Sequence, residues 1–152
     1  MWKAPGGAWG IRGLSRGSMR TGFIGEGLLK DLFLDAGVNS YRQPRAICVT
    51  HSHTDHVGAL GGISTGIETE FPIFSPRGAV GPLRLLLVGE AAAAECTEAP
   101  PLRKEDGIPL RFRVKLVGVV EGDEFQLGFG DLRIRIHELK HTVPCVAYLV
   151  MQ

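Results

Sequence analysis

Apolar and polar positions follow two different rhythms along the chain. In the first and last thirds, short apolar runs and period-two alternation are punctuated by glycine and proline, the pattern of strands and turns. Between them, residues 82–96 place Leu83, Leu86, Leu87, Glu90, Ala91 and Ala94 at helical spacing, a mostly apolar stripe suited to packing on a sheet. Pro82 fits the first turn of that helix. Residues 46–50, Ala46-Ile47-Cys48-Val49-Thr50, are apolar and rich in β-branched side chains and predict a buried strand. Residues 11–23 predict a glycine-rich first strand and turn. Residues 28–34 form an apolar run broken by Lys30-Asp31, which reads as two strands around that pair or as one strand reaching Asp35. Residues 38–43 allow no more than a helical turn, stopped by Pro44. A short helix is expected over 57–62, broken by glycine, then a polar loop over 63–70. A strand with prolines at its edges follows over 71–76. Residues 97–107, with Pro100-Pro101 and mixed charge, predict a solvated loop or linker.

The last third is β-rich. Arg111-Phe112-Arg113-Val114-Lys115 alternates between a basic and an apolar face. Glu121-Gly122-Asp123-Glu124 predicts a turn. Residues 125–127 and 132–136 flank Gly128-Phe129-Gly130-Asp131 as a hairpin. Leu132, Ile134 and Ile136 would point inward, and Arg133, Arg135 and His137 outward. The plain reading of those bases is a solvated antiparallel face; the alternative is contact with phosphates.

Candidate chemistry concentrates in His51-Ser52-His53-Thr54-Asp55-His56, four potential metal ligands in six residues. The predicted strand just before it places the cluster on a loop at a strand end, where a rigid backbone can aim side chains into one site. On extended backbone His51 and His53 point to the same side. Asp55 and His56 follow where the chain turns and can face a second ion. Neutral imidazoles and a carboxylate suit zinc, and also manganese or iron.

Composition adds limits. The chain of 152 residues is long enough for one domain with a core. A net charge of +1 gives no global field toward nucleic acid, although a local basic patch remains open. Three cysteines without paired spacing read as reduced thiols in an intracellular protein, with the cytoplasm as the first compartment and nucleus or mitochondrion as alternatives. No apolar run approaches a membrane span and no secretory signal is visible. Residues 1–21 carry Lys3, Arg12, Arg16 and Arg20 and no acid, which fits either a flexible or organelle-targeting segment or the first strand and turn. Trp2 and Trp9 have no role beyond packing or a disordered end.

The His-x-His-x-Asp-His pattern resembles the signature of the metallo-β-lactamase superfamily. The resemblance implies an α+β fold, a metallo-β-lactamase-type αβ/βα sandwich, here mainly its first half: a mixed β-sheet with flanking helices. It assigns His51 and His53 to one ion and Asp55 and His56 to another. Leu32-Phe33-Leu34-Asp35-Ala36-Gly37 is similar to the strand that ends in Asp-x-Gly ahead of the metal motif, with Asp35 a structural acceptor rather than a ligand. Toward the end, His141, Pro144 and Tyr148 fit the strand, histidine, proline turn and aromatic-bearing strand of ribonuclease Z-like members, with Ala147 where glycine is usual. His141 is then the third ligand of the His51/His53 ion; His137, on the polar face of its strand, competes for that role. The bridging aspartate, the final histidine ligand and the leaving-group histidine of such enzymes lie further downstream and are not in this sequence. Residues 1–152 therefore read as one domain, incomplete at its C-terminus: a fragment, a truncated product, or a half that needs a partner.

The implied activity is cleavage of the 3′ trailer of precursor transfer RNA by a hydroxide activated between two divalent ions, zinc or alternatively manganese, with Asp55 orienting it or taking its proton. Such an enzyme grips RNA largely by shape and backbone, and no RNA-gripping arm is obvious in this sequence. Two other classes stay open. One is a superfamily hydrolase acting on a thioester, lactam, sulfate ester or cyclic nucleotide. The other is a non-catalytic half-domain that binds metal weakly or only pairs with another chain, a second copy or a missing C-terminal half. No membrane partner is expected.

Overall fold

The computed structural model describes residues 1–16, 20–65, 68–128 and 131–152. Among these, β1 (Trp2–Lys3), β2 (Trp9–Arg16), β3 (Arg20–Gly27), β4 (Leu32–Leu34), β5 (Ala46–Cys48), β6 (Phe71–Pro76) and β7 (Val114–Val119) form one sheet in that spatial order. Its first four strands pair antiparallel; β4 to β7 run parallel. A second, antiparallel sheet has the order β10 (Cys145–Met151), β9 (Arg133–Leu139), β8 (Glu124–Gln126). Parallel neighbours need crossover connections. Helices α1 (Thr54–Val57) and α2 (Leu60–Ser64) cross from β5 to β6; a 3₁₀ turn (Arg77–Ala79) and α3 (Val80–Glu95) leave β6 on the way to β7.

Strict alternation on the central strands builds two cores. Phe33, Ile47 and Ile73 face Leu60, Leu83, Leu87 and Ala91 of the helices. Leu32, Ala46, Cys48 and Phe74 face the other way, against Leu132, Ile134, Ile136 and Val146 of the second sheet. The layers run helix, sheet, sheet. Each fully buried Leu, Ile or Phe contributes about 1.5–3 kcal/mol, so β4, β5 and β6 are held from both sides.

Several expectations hold and several shift. The first strand and turn are an antiparallel pair of β2 and β3; residues 17–19 lie outside the described residues, and described residues within 1–21 are mostly strand. Trp9 packs against the second core, and the Trp2 side chain is not described. Residues 28–31 are neither one strand nor the start of two. They form a tight reversal, with Leu29 and Lys30 amides donating to Glu26 and Gly27 carbonyls and Asp31 at φ 64°. An antiparallel return from β3 to β4 in so few residues leaves no length for a strand. Residues 38–43 bend without a helical turn; the Arg42 amide donates to Ser40 Oγ and its guanidinium pairs with Glu26 and Asp31. The alternation of 111–115 survives in burial, but β7 begins only at Val114, because the Phe112 amide turns back to the Pro109 carbonyl. Helix α3 starts two residues before Pro82, which still lies in its first turn, and ends at Cys96 in a left-handed cap (φ 51°). Helix α2 extends into the predicted 63–70 loop, of which 66–67 lie outside the described residues, as do Phe129 and Gly130 of the β8–β9 hairpin. On that hairpin Arg133 and Arg135 pair with Glu124, and His137 with Glu121: a solvated, ion-paired face. The three cysteines are free thiols, and among the described residues no helix is long and apolar enough to cross a membrane.

The turn after β4 fixes the approach of the layers. A Cβ built on Gly37 would lie 1.7 Å from the Asp55 carbonyl oxygen and 2.7 Å from that of Thr21, so only glycine fits there. A Cβ on Gly89 of α3 would meet nothing within 4 Å. Gly37→Ala is expected to destabilise the fold by about 1–3 kcal/mol through overpacking, and Gly89→Ala to stabilise it by about 0.5–1 kcal/mol through helix propensity. Urea unfolding midpoints check both; equal effects would contradict the close backbone approach.

Candidate metal centre

β5 ends in the sheet interior, and the extended residues after it lead straight into the histidine-rich stretch. His51 is buried and His53 half-buried at the N-terminal boundary of α1. The stretch is not wholly loop: α1 begins at Thr54, so Asp55 and His56 sit on a helical turn, and this short helix points them back toward β4. From the other sheet, the connection between β9 and β10 brings in His141. Ring centroids of His51 and His141 lie 4.5 Å apart, those of His53 and His141 4.9 Å, and those of His51 and His53 4.8 Å. One nitrogen from each of the three imidazoles falls within 4.8 Å of the others. Among the described residues this is the one cluster of three or more such donors. His137 is elsewhere, on the exposed face beside Glu121.

Asp55 and His56 form a separate pair, Asp55 Oδ2 lying 3.2 Å from His56 Nε2. The His56 ring centroid is 4.0 Å from that of His51, so the pair adjoins the three-histidine cluster.

Asp35 ties the two groups together. It follows β4 at φ 59°, a left-handed conformation that Asp tolerates better than most residues. Its Oδ1 accepts from the Thr50 amide at 2.7 Å, and the Thr50 hydroxyl donates into the carboxylate at 3.0 Å. His56 Nδ1 donates to Asp35 Oδ2 at 2.7 Å. Because the Thr50 hydroxyl proton is committed to Asp35, its oxygen accepts from His51 Nδ1 at 2.9 Å. The His51 ring therefore carries its proton on Nδ1 and presents a bare Nε2, the form that binds a metal, whereas His56 lies between two carboxylates, Asp35 at Nδ1 and Asp55 at Nε2. Burial pushes the Asp35 carboxyl above the ordinary range, opposed by the Thr50 amide and His56. Burial, then the neighbouring His56, His141 and His53, lowers the His51 pKa from 6.5 to about 4, so that ring is neutral at neutral pH.

His141 is held by the second sheet. The Val146 amide donates to the Thr50 carbonyl at 3.0 Å, and the Tyr148 hydroxyl donates to the Val49 carbonyl at 2.7 Å, pinning β10 to the end of β5. The exposed His141 is less prepared than His51. Its Nδ1 accepts from the Thr142 amide at 2.8 Å, which leaves the proton of a neutral ring on Nε2; ligation through either nitrogen requires that contact to break. The donor set of three imidazoles still matches what a divalent transition metal takes.

Two participants are not evident from residue type alone. Thr50 reads as the last position of an apolar strand, yet it relays Asp35 to His51; its signal was a hydroxyl directly before the first histidine. Cys145 lies with Sγ 3.9 Å from His51 Nδ1, and burial followed by the Asp35 charge raises its pKa.

The family description "Metallo-beta-lactamase superfamily" matches residues 40–150. The chain belongs to this superfamily, whose members are typically metal-dependent hydrolases that bind divalent metals. It is 33% identical over 129 residues to a protein named ribonuclease Z from Kineococcus radiotolerans, a match covering 82% of this chain and 35% of that relative. The chain thus spans about a third of that relative's length. Among solved structures, the metallo-beta-lactamase fold protein YhfI from Bacillus subtilis superposes with a TM-score of 0.56 at 15% identity, over 87% of this chain and 50% of that one. Human tRNase Z, short form, gives 0.48 at 18% identity, over 100% and 61%.

Protonation offers a check on the His51 environment. In chelator-treated protein the unfolded imidazole takes a proton near 6.5, while the folded ring stays neutral until about 4. The unfolded state then binds more protons across that interval, and stability falls as pH is lowered through it. Urea midpoints at about pH 7, 5.5 and 4.5 should show this decline, and His51→Gln should flatten it; an unchanged slope in that variant would contradict the assignment.

Proposed function

We propose that the chain carries the three-histidine part of a ribonuclease Z-like phosphodiesterase, acting on the 3′ side of precursor transfer RNA. The convergence of His51, His53 and His141 from two different sheets is the observation that carries this reading. The relationship to a protein named ribonuclease Z supports the choice of reaction. In this reading His51, His53 and His141 hold one divalent ion, zinc in the first instance, and Asp55 and His56 contribute to a second. Bound there, such ions supply positive charge opposite the phosphodiester oxygens and a water of lowered pKa. The chain's own residues do the rest. Asp35 and Thr50 keep Nε2 of His51 free of its proton, and Asp35 orients the His56 ring through Nδ1. Asp55 orients the attacking water or accepts its proton. The buried walls around His51 limit access of bulk water.

A second reading is a half-domain that binds one ion and turns nothing over unaided. The Asp55–His56 pair favours it, since among the described residues no third donor joins the two within ligand range. Elemental analysis and a cleavage assay on one preparation, with precursor transfer RNA and a chromogenic phosphodiester as substrates, separate the two. The proposed enzyme binds about one or two ions per chain and cuts both substrates; the half-domain binds the ion and cuts neither. In either case His53→Ala should weaken ion binding at least tenfold. Retained ion binding or retained turnover in His53→Ala would contradict the three-histidine centre.

A further inference from the structure

Beside the histidine cluster, and sharing His141 with it, is a cleft of about 600 Å³. Its lining includes Arg77, Glu138, Lys140, His141 and Pro144. Arg77 opens the 3₁₀ turn directly after β6, and His51 follows β5, so both lie at the C-terminal edge of the parallel strands. That edge is where open α/β sheets bind ligands. The backbone carrying Arg77 is seated rather than loose. A Cβ on Gly78 would come within 2.8 Å of Pro144 Cγ in the His141 loop, and one on Gly118 of β7 within 3.1 Å of Arg77 Cα.

The charges in the cleft bear on what it can hold. Arg42, Arg103, Arg133 and Arg135 are all in ion pairs. Arg77 and Lys140 are exposed, and among the described residues the side chain of neither is in an ion pair, a state they share with Lys30, Lys104 and Lys115. Glu138 is the one acid in the lining, leaving the cleft with a net positive charge before any ion binds to His141. Two unpaired cations on separate elements, flanking a histidine of the proposed centre, present sites for an anion next to the reacting group. A volume of this size is ordinary for a nucleotide-sized ligand.

We propose that Arg77 and Lys140 bind a backbone phosphate neighbouring the one to be cut, so that an oligonucleotide strand is held more tightly than a small phosphodiester. The proposal rests on the phosphodiesterase reading above. It goes beyond that reading in naming the residues that grip the strand.

The test uses the full chain with chelator present, so that nothing is cut, and a short fluorescein-labelled single-stranded RNA followed by anisotropy across a salt series. Arg77→Ala and Lys140→Ala should each weaken binding about five- to tenfold and lower the slope of log affinity against log salt by roughly 0.7. Arg77→Lys, which keeps the charge, should retain most of the affinity. Lys30→Ala, at the opposite edge of the sheet, should change neither quantity. An unaltered slope in Arg77→Ala, or an equal loss in Lys30→Ala, overturns the cleft assignment. Adding metal and a chromogenic phosphodiester separates this from the reaction itself. Hydrolysis with RNA binding indifferent to Arg77 overturns the cleft alone. Arg77-dependent binding with no hydrolysis supports the cleft and overturns the phosphodiesterase reading.

Discussion

A single buried carboxylate organises the candidate centre. Asp35 sits 5% exposed in a left-handed turn, surrounded by the Thr50 amide, the Thr50 hydroxyl and His56 Nδ1. An isolated carboxylate at this depth would cost several kcal/mol. Each donor that offsets this cost is also a group of the site, so folding and site geometry are the same event. Asp35 fixes His56 directly and His51 through one hydroxyl, and the Nδ1 proton at both rings follows from that. Turning the His56 ring would leave the carboxylate short of a partner, and turning the His51 ring would leave the Thr50 hydroxyl oxygen without its donor.

The second constraint is the seam between the sheets. β5 is three residues long, and alone it could not specify where a residue over ninety positions later should lie. Alternation of Ala46 and Cys48 against Ile47 buries opposite faces in different cores, and the second sheet closes on the Cys48 side. Tyr148 and Val146 then hydrogen-bond to Val49 and Thr50, and His141 arrives beside His51 as a consequence of register. The metal-ligand set is therefore a long-range product of sheet packing, although two of its three members stand close together in sequence. Gly37 and Gly78 do related work in backbone contacts. One lets the turn after β4 touch α1; the other lets the turn after β6 touch the His141 loop.

Much of this was legible in the sequence because it is local. The apolar run before His51, the helical stripe of Leu83, Leu87 and Ala91, and the alternation of Leu132, Ile134 and Ile136 each follow from a period set by backbone geometry. Asp35 could be read as an acceptor and His141 as the distant imidazole because the resemblance supplied their partners. What local pattern could not supply was competition. Leu28-Leu29 has strand composition but must turn, since β3 and β4 are antiparallel neighbours. Phe112 alternates correctly but its amide is taken by Pro109. Thr50 looks like the end of a strand, and only the position of Asp35 across the sheet gives its hydroxyl a task. Cys145 is a buried thiol by composition, and its contact with His51 depends on the same seam.

The account stands on the claim that Asp35 sets the protonation sites of two imidazoles. Nitrogen-15 correlation spectra of the metal-free protein at neutral pH read those sites directly, ring by ring. His51 and His56 should both show a proton on Nδ1, with Nε2 of His51 bare, and Asp35→Asn should redistribute both rings away from Nδ1 protonation toward the Nε2-protonated form that free histidine favours. Finding Nδ1 without a proton in either ring of the unaltered protein, or finding both rings unchanged in Asp35→Asn, would contradict it.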